Sequence, residues 1–282
     1  MPVPKDITAY YTNKKIEDVE QALAERIDAT KSELTQKIDA KRRGDGASNL
    51  ELRQQLAMLK MQLKGLLPPD EEIEIFESKT VLWPAEVTDD SFIEVWAWGG
   101  GGSGGKDGSG GGGGGCGVAK YLRKDLPTPL NVIVGKGSNG SFNGGSTFFD
   151  RHLFASGGTS GDCPSGGGSG GPILSRDIHR GHFSGDGGEA DLNGAGYGRN
   201  GLSSIYGGGG GGGGYGYQQG GDGGNSLYGG GGGGATQGGG GGASQFGGRG
   251  GKYGSDGEIR GGGGGGGGGR GGNGMVLIKI WY

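Results

Sequence analysis

The chain has 282 residues, of which 80 are glycine and only 30% are hydrophobic, with 27 Lys plus Arg against 30 Asp plus Glu. Such a composition excludes a single large side-chain core. The near balance of charge supplies no polycationic handle, so neither nucleic acid nor an anionic membrane is an expected partner.

Two cysteines, Cys116 and Cys163, allow one disulfide at most and fit neither a disulfide scaffold nor a metal site. Met1 to Thr12 lacks an apolar stretch of signal-peptide length. The longest apolar run, Met275 to Tyr282, is interrupted by Lys279 and is too short to span a bilayer, so no membrane insertion is expected. All but three of the glycines follow Trp98, which separates two physical regimes. The reading divides the chain into a tail over 1–13, a helical oligomerisation or docking region over 14–69, a β linker with the first framework strands over 70–98, and a glycine-rich domain over 99–282 closed by a final strand.

Ile16, Val19, Leu23, Ile27, Thr30, Leu34 and Ile38 follow an eleven-residue repeat of helical spacing. The helix they predict is about 35 Å long and carries a narrow apolar stripe under a charged surface. A lone helix of this kind is marginal in water, so the stripe needs a partner: copies of itself, a docking protein, or the chain folded back on itself. Gly44 and Gly46 break the pattern, and Ser48 with Glu51 has capping-box spacing for a second helix. Its seam, Leu52, Leu56, Leu59, Leu63 and Leu66, keeps a heptad spacing up to Pro68-Pro69.

Glu72 to Phe76 and Lys79 to Trp83 read as short strands around a turn. Ser91 to Trp98 alternates Phe92, Glu94, Trp96 and Trp98 against Ile93, Val95 and Ala97, which predicts a strand with apolar groups on both faces. Further strands are expected at Val118 to Leu122, Leu130 to Val134, Phe148 to Phe154 and Met275 to Tyr282. The last is expected to close against Ser91 to Trp98 and so limit the freedom of everything between them.

Ser204-Ile205-Tyr206-Gly207, Ser226-Leu227-Tyr228-Gly229 and Ser244-Gln245-Phe246-Gly247 form an imperfect repeat, 22 and then 18 residues apart. Its aromatics suit anchoring positions. Glycine tracts disfavour the α-helix. They suit extended three-residue-per-turn helices, whose backbone groups must find partners on neighbouring segments. The expected fold class is therefore mainly irregular and β, with N-terminal coiled-coil helices, a small β framework and packed polyglycine II helices.

Phe92-Ile93-Glu94-Val95-Trp96-Ala97-Trp98 followed by Gly99 to Gly102 resembles the opening of the glycine-rich domain of bacteriophage tail fibres and related tail proteins. The resemblance continues through Gly117-Val118-Ala119-Lys120-Tyr121, Leu130 to Gly137, Asn143 to Phe148 and Gly271 to Ile278, and covers roughly residues 72 to 282. It implies a virion protein at the distal part of a tail or fibre. It also implies a homotrimer, with other tail or fibre proteins and a bacterial surface polysaccharide or outer-membrane protein as partners. The chain is short for a whole fibre and has no obvious β-helical shaft.

Receptor contacts are expected on polar loops carried by a rigid support. The longest mixed stretch, Pro172 to Asn200, supplies Arg176, Asp177, His179, Arg180, His182, Tyr197 and Arg199. Later loops supply Tyr215, Tyr217, Asn225 and Tyr253, a Tyr- and Asn-rich set of paratope-like composition. His179, His182 and Asp177 lack a fourth clear metal ligand. No nucleophile elbow and no phosphate-binding G-x-x-x-x-G-K-[ST] loop is present, so the reading expects neither an enzyme nor a cofactor.

Overall fold

The structure, a computed structural model, describes residues 68–106, 108–161, 170, 171, 173, 174, 198–214, 219–236 and 238–282. Residues 68 to 282 cluster as one compact unit. Its regular elements are the strands β1 (Glu71–Ile75), β2 (Lys79–Val81), β3 (Phe92–Trp98), β4 (Cys116–Leu122), β5 (Leu130–Ile133), β6 (Thr147–Phe149), β7 (Leu153–Ala155), β8 (Ile173–Leu174) and β9 (Met275–Trp281). A three-residue 3-10 turn, Arg123–Asp125, is the only helical element among the described residues.

One antiparallel sheet has the order β1-β9-β3-β4 and the other β2-β5-β6-β7-β8. β9 enters between β1 and β3, setting Ile278 against both Ile73 and Val95. The alternation of β3 explains the layering. Ile93, Val95 and Ala97 bury with Val276, Ile278 and Ile280 against Leu130, Val132, Phe149 and Leu153 of the second sheet. Each such fully buried aliphatic or aromatic side chain contributes roughly 1.5–3 kcal/mol, which lets a small core anchor a long side-chain-poor region.

The opposite face of β3 carries charge and aromatics. Glu72, Lys279, Glu94 and Lys120 stand in one cross-strand row of alternating sign. Lys120 pairs with Glu94 at 3.2 Å and Lys279 with Glu72 at 3.7 Å.

Three strand expectations change. Glu72 to Phe76 and Lys79 to Trp83 do not pair around a turn. β1 joins β9 while β2 joins β5, because the intervening Ser78 hydroxyl takes the Val134 N–H at 3.0 Å and turns the chain onto the other sheet. Phe148 to Phe154 is a hairpin, β6–β7, not one strand. Asp150 adopts φ 49° and its carboxylate accepts the Arg151 N–H, a local turn that Asp tolerates. Within the stretch expected to be loop from Pro172, Ile173–Leu174 adds a strand to β7.

The glycine segments run between the strands as extended backbone without regular secondary structure. Along 99–105 the amides donate to three neighbours in turn. Gly99 and Gly102 bond Gly115 and Gly112, Gly100 and Ser103 bond Gly145 and Phe142, and Gly101 and Gly104 bond Gly272 and Gly269, all at 2.8–3.3 Å. Segment 110–115 does the same, its donors going to 209–212, 261–264 and 156–159. At Gly233 a Cβ would lie 2.0 Å from the Gly264 carbonyl oxygen, so this closeness of approach demands glycine.

The expected fold class is corrected accordingly. Neither coiled-coil helices nor packed polyglycine helices figure among the regular elements of the described residues. Two β-sheets with irregular extended glycine segments stand in their place, because glycine's poor helix propensity leaves the amides to bond between segments. The apolar seams, Ile16, Val19, Leu23, Ile27, Leu34 and Ile38 with Leu52, Leu56, Leu59, Leu63 and Leu66, lie outside the described residues.

Candidate functional surface

The glycine lattice has two unlike ends. At one, Asp70 N–H bonds Ile280 O at 2.9 Å and Phe92 sits opposite Trp281, so the unit begins and ends there. β3 then runs away from this end and continues straight into 99–105.

At the far end the chain reverses repeatedly. Gly105 N–H bonds Ser109 O, Ser255 N–H bonds Lys252 O, and Gly269 N–H bonds Gly265 O, at 2.8–2.9 Å. These reversals are tied together. Thr236 N–H donates to Gly108 O, Gly266 to Gly234, Gly254 to Gly266 and Gly267 to Gly105, at 2.6–2.9 Å. The result is a cluster of turns held by backbone bonds rather than by a side-chain core.

Between the two ends lies an aromatic ladder. Ser204, Ser226 and Ser244 form parallel bridges, which places the three repeats side by side. Their rings stack: Tyr206 on Tyr228 at 4.7 Å and Tyr228 on Phe246 at 5.0 Å, each pair 9° from parallel. Trp96 of β3 tilts against Tyr228 and Phe246 at 5.7 Å. Trp98 donates its indole N–H to Tyr228 O at 2.7 Å. Arg260, at φ 67°, lies over the Trp98 ring and reaches Glu74 at 3.3 Å, clamping the lattice to β1.

Cys116 is buried beside Trp98 and Met275 with no disulfide. Burial pushes its thiol well above the ordinary value, and the charge of Arg260 opposes this only in part. Cys163 lies outside the described residues.

Of the expected receptor residues, Arg176, Asp177, His179, Arg180, His182, Tyr197, Tyr215 and Tyr217 lie outside the described residues. The other three are all exposed, in different settings. Arg199 accepts the Gly213 N–H at 2.8 Å through its carbonyl, close to the turn-bearing end. Tyr253 stands on a turn of that end, 47% exposed. Asn225 instead sits next to the aromatic ladder and does lattice work: its Oδ1 takes the Ala243 N–H at 2.8 Å while its own N–H donates to Ser203 Oγ at 3.1 Å.

Asn225 belongs to a set that the sequence reading missed. Asn200 Oδ1 accepts the Asp222 N–H at 2.7 Å, and Asp222 Oδ1 accepts the Gly240 N–H at 2.6 Å. Asn143, Asp256, Asn273 and Glu258 likewise accept the amides of Ser160, Arg270, Gly137 and Arg249. Where a surface segment has no further segment beside it, a short polar side chain supplies the acceptor instead. The signal was present in the spacing, since these acceptors stand 22 or 18 residues before the amides they receive, the same steps as the aromatic repeat.

The comparisons with known proteins bear on this architecture. A family described as "Glycine-rich domain" matches residues 77–281, from the turn after β1 to the end of β9. The chain belongs to this glycine-rich domain family. No curated protein matches the sequence. The matched span of the glycine-rich domain includes both sheets apart from β1, the aromatic ladder and every turn of the far end. Among the described residues, no helix is long and apolar enough to cross a membrane.

Proposed function

We propose that the chain is a non-enzymatic component of a bacteriophage tail fibre or tail tip, placed at the distal part of the virion. In this reading the turn-bearing end of its glycine-rich domain contacts a host surface polysaccharide or outer-membrane protein during adsorption. The reading draws its phage setting from the sequence resemblance over residues 72 to 282. The observation that carries it is polarity: the unit begins and ends at one pole, with Asp70 on Ile280, and a cluster of glycine-segment turns lies at the other. A backbone lattice that projects turns away from the pole where the unit begins and ends suits recognition, since binding residues concentrate on loops positioned by a rigid scaffold.

The seam residues from Ile16 to Leu66 supply the assembly half of the proposal: a homotrimer joined to other tail or fibre proteins. Light scattering on the full chain tests this part directly, and a monomer at micromolar concentration overturns it.

Recognition is tested by incubating fluorescently labelled full chain with a panel of bacterial strains, and with polysaccharide and outer-membrane-protein fractions from them. Strain-selective binding that is lost when the turn 252–254 is replaced by three glycines supports the proposal. A folded chain that binds no strain, or binding indifferent to that replacement, favours a structural connector of the tail instead.

A further inference from the structure

In an Asn-Gly pair the glycine nitrogen can attack the asparagine side-chain carbonyl, because glycine puts no Cβ in the way of ring closure. The chain has five such pairs: Asn139-Gly140, Asn143-Gly144, Asn193-Gly194, Asn200-Gly201 and Asn273-Gly274. Asn193-Gly194 lies outside the described residues. Three of the others are locked into the lattice at both reacting groups. Asn143 Oδ1 accepts the Ser160 N–H at 2.9 Å while Gly144 N–H donates to Gly158 O at 2.8 Å. Asn200 Oδ1 accepts the Asp222 N–H at 2.7 Å while Gly201 N–H donates to Asp222 O at 2.8 Å. Asn273 Oδ1 accepts the Gly137 N–H at 2.9 Å while Gly274 N–H donates to Gly135 O at 2.8 Å. Ring closure at any of these three breaks two lattice bonds.

Asn139-Gly140 differs. The residues on either side of it are held. Ser138 N–H donates to Gly101 O at 3.1 Å and its carbonyl accepts the Gly271 N–H at 2.9 Å. Ser103 Oγ accepts the Ser141 and Phe142 N–H groups at 2.9 and 3.2 Å. Between these anchors the Asn139 side chain and the Gly140 N–H make no hydrogen bond among the described residues, and both residues are exposed. Nothing lies within 4 Å of where a Cβ on Gly140 would stand, so the attacking nitrogen is unobstructed. Gly140 has φ 72° and Ser141 φ 68°, the latter a conformation unfavourable for an L-residue, so the chain bends sharply out of the lattice here.

We infer that Asn139 is a site of spontaneous covalent modification in the folded protein, by succinimide formation and opening to isoaspartate or aspartate. Solvent hydroxide takes the Gly140 amide proton. The Gly140 nitrogen then bonds Asn139 Cγ, the Cγ–Nδ2 bond breaks, and the leaving nitrogen takes a proton from water to depart as ammonia. Water next opens the ring. Addition at Cγ breaks its bond to the Gly140 nitrogen and yields aspartate, whereas addition at the main-chain carbonyl carbon breaks the other bond and yields isoaspartate. No oxidation or reduction is involved. Either product adds a negative charge to the turn that Ser103 holds. Isoaspartate also adds a carbon to the main chain of that turn, which carries Phe142, 71% exposed. This chemistry is independent of what the turn-bearing end binds.

The test is a time course on the full chain in mildly alkaline buffer, native and in guanidinium chloride. Proteolysis and electron-transfer fragmentation then quantify each Asn-Gly site and separate isoaspartate from aspartate. In the native chain Asn139 should convert at least about tenfold faster than Asn143, Asn200 and Asn273, because lattice bonds protect only those three. In denaturant the four rates should converge, with Asn139 changing least between the two conditions. Native conversion at Asn139 no faster than at the three locked sites overturns the assignment. So does an Asn139 that the fold protects by the same factor as the others.

Discussion

The ring of Phe246 lies 9° from parallel to that of Tyr228, 5.0 Å away between centroids, although they stand 18 residues apart in the chain and the segment between them is mostly glycine. Tyr228 is the middle ring of the ladder and also touches Trp96, so it joins the lattice to β3. Replacing it with Ala removes contacts with three rings at once. The expected loss is about 2–4 kcal/mol in urea unfolding, with Tyr228→Phe within about 1 kcal/mol of wild type. Equal stability of Tyr228→Ala and wild type would show that the ladder is decoration.

Glycine positions in the lattice differ sharply in what they tolerate. A Cβ at Gly233 meets a carbonyl oxygen at 2.0 Å, whereas one at Gly240 meets only the Asp222 carboxylate, at 3.4 Å. Gly233→Ala is expected to cost at least about 3 kcal/mol or to abolish cooperative unfolding, because the obstacle is backbone bonded on several sides. Gly240→Ala should stay within about 0.5 kcal/mol. Thermal unfolding of the two variants side by side measures the difference.

The side-chain acceptors at the lattice surface make a separate prediction. Asp222→Ala leaves the Gly240 amide without the bond it has at 2.6 Å, at a cost of about 1 kcal/mol. Asp222→Asn retains an Oδ1 acceptor and should recover most of it. Amide exchange at Gly240, read by NMR, should accelerate in the Ala variant and return toward wild type in the Asn variant.

At the other pole, the Tyr282 hydroxyl donates to Glu71. That hydrogen bond comes first among the causes that push the phenol up to about 12, followed by desolvation and the neighbouring carboxylates. A folded pKa above the unfolded value of about 10 means that the fold favours the neutral phenol. Its contribution is fully present below about pH 10 and is lost as pH rises through about 12. Denaturation midpoints between pH 9 and 12 should therefore fall more steeply for wild type than for Tyr282→Phe, and superimposable slopes would remove the bond from consideration.

Cys116 offers a probe of lattice opening. In a Cys163→Ser background its buried, proton-retaining thiol should resist iodoacetamide in the native state and react on unfolding. Labelling that is as fast in native buffer as in urea would place the thiol at the surface.

Several of these features were legible in the chain itself. The alternation from Phe92 to Trp98 marked a strand with two apolar faces, and the Ser-x-aromatic-Gly units marked a recurring pass, because side-chain pattern and spacing are properties of sequence alone. The hairpin at Asp150 is not legible in the sequence because the four apolar residues Phe148, Phe149, Leu153 and Phe154 around Asp150-Arg151-His152 read as one strand until the turn is seen. The lattice role of Asn225 is not legible in the sequence, since the same side-chain chemistry serves a receptor contact and an acceptor for the Ala243 N–H.

By itself the sequence determined the shortage of side-chain core, the abrupt start of the glycine region after Trp98, and the strands that bracket it. Only the tertiary structure decided which neighbour each glycine amide bonds, that β9 enters between β1 and β3, and that Tyr253 comes to rest on Gly267. The reason is physical: a residue without a side chain carries no pattern to specify its partner. Its pairing is set by the strands and aromatic rings that hold the segments in register.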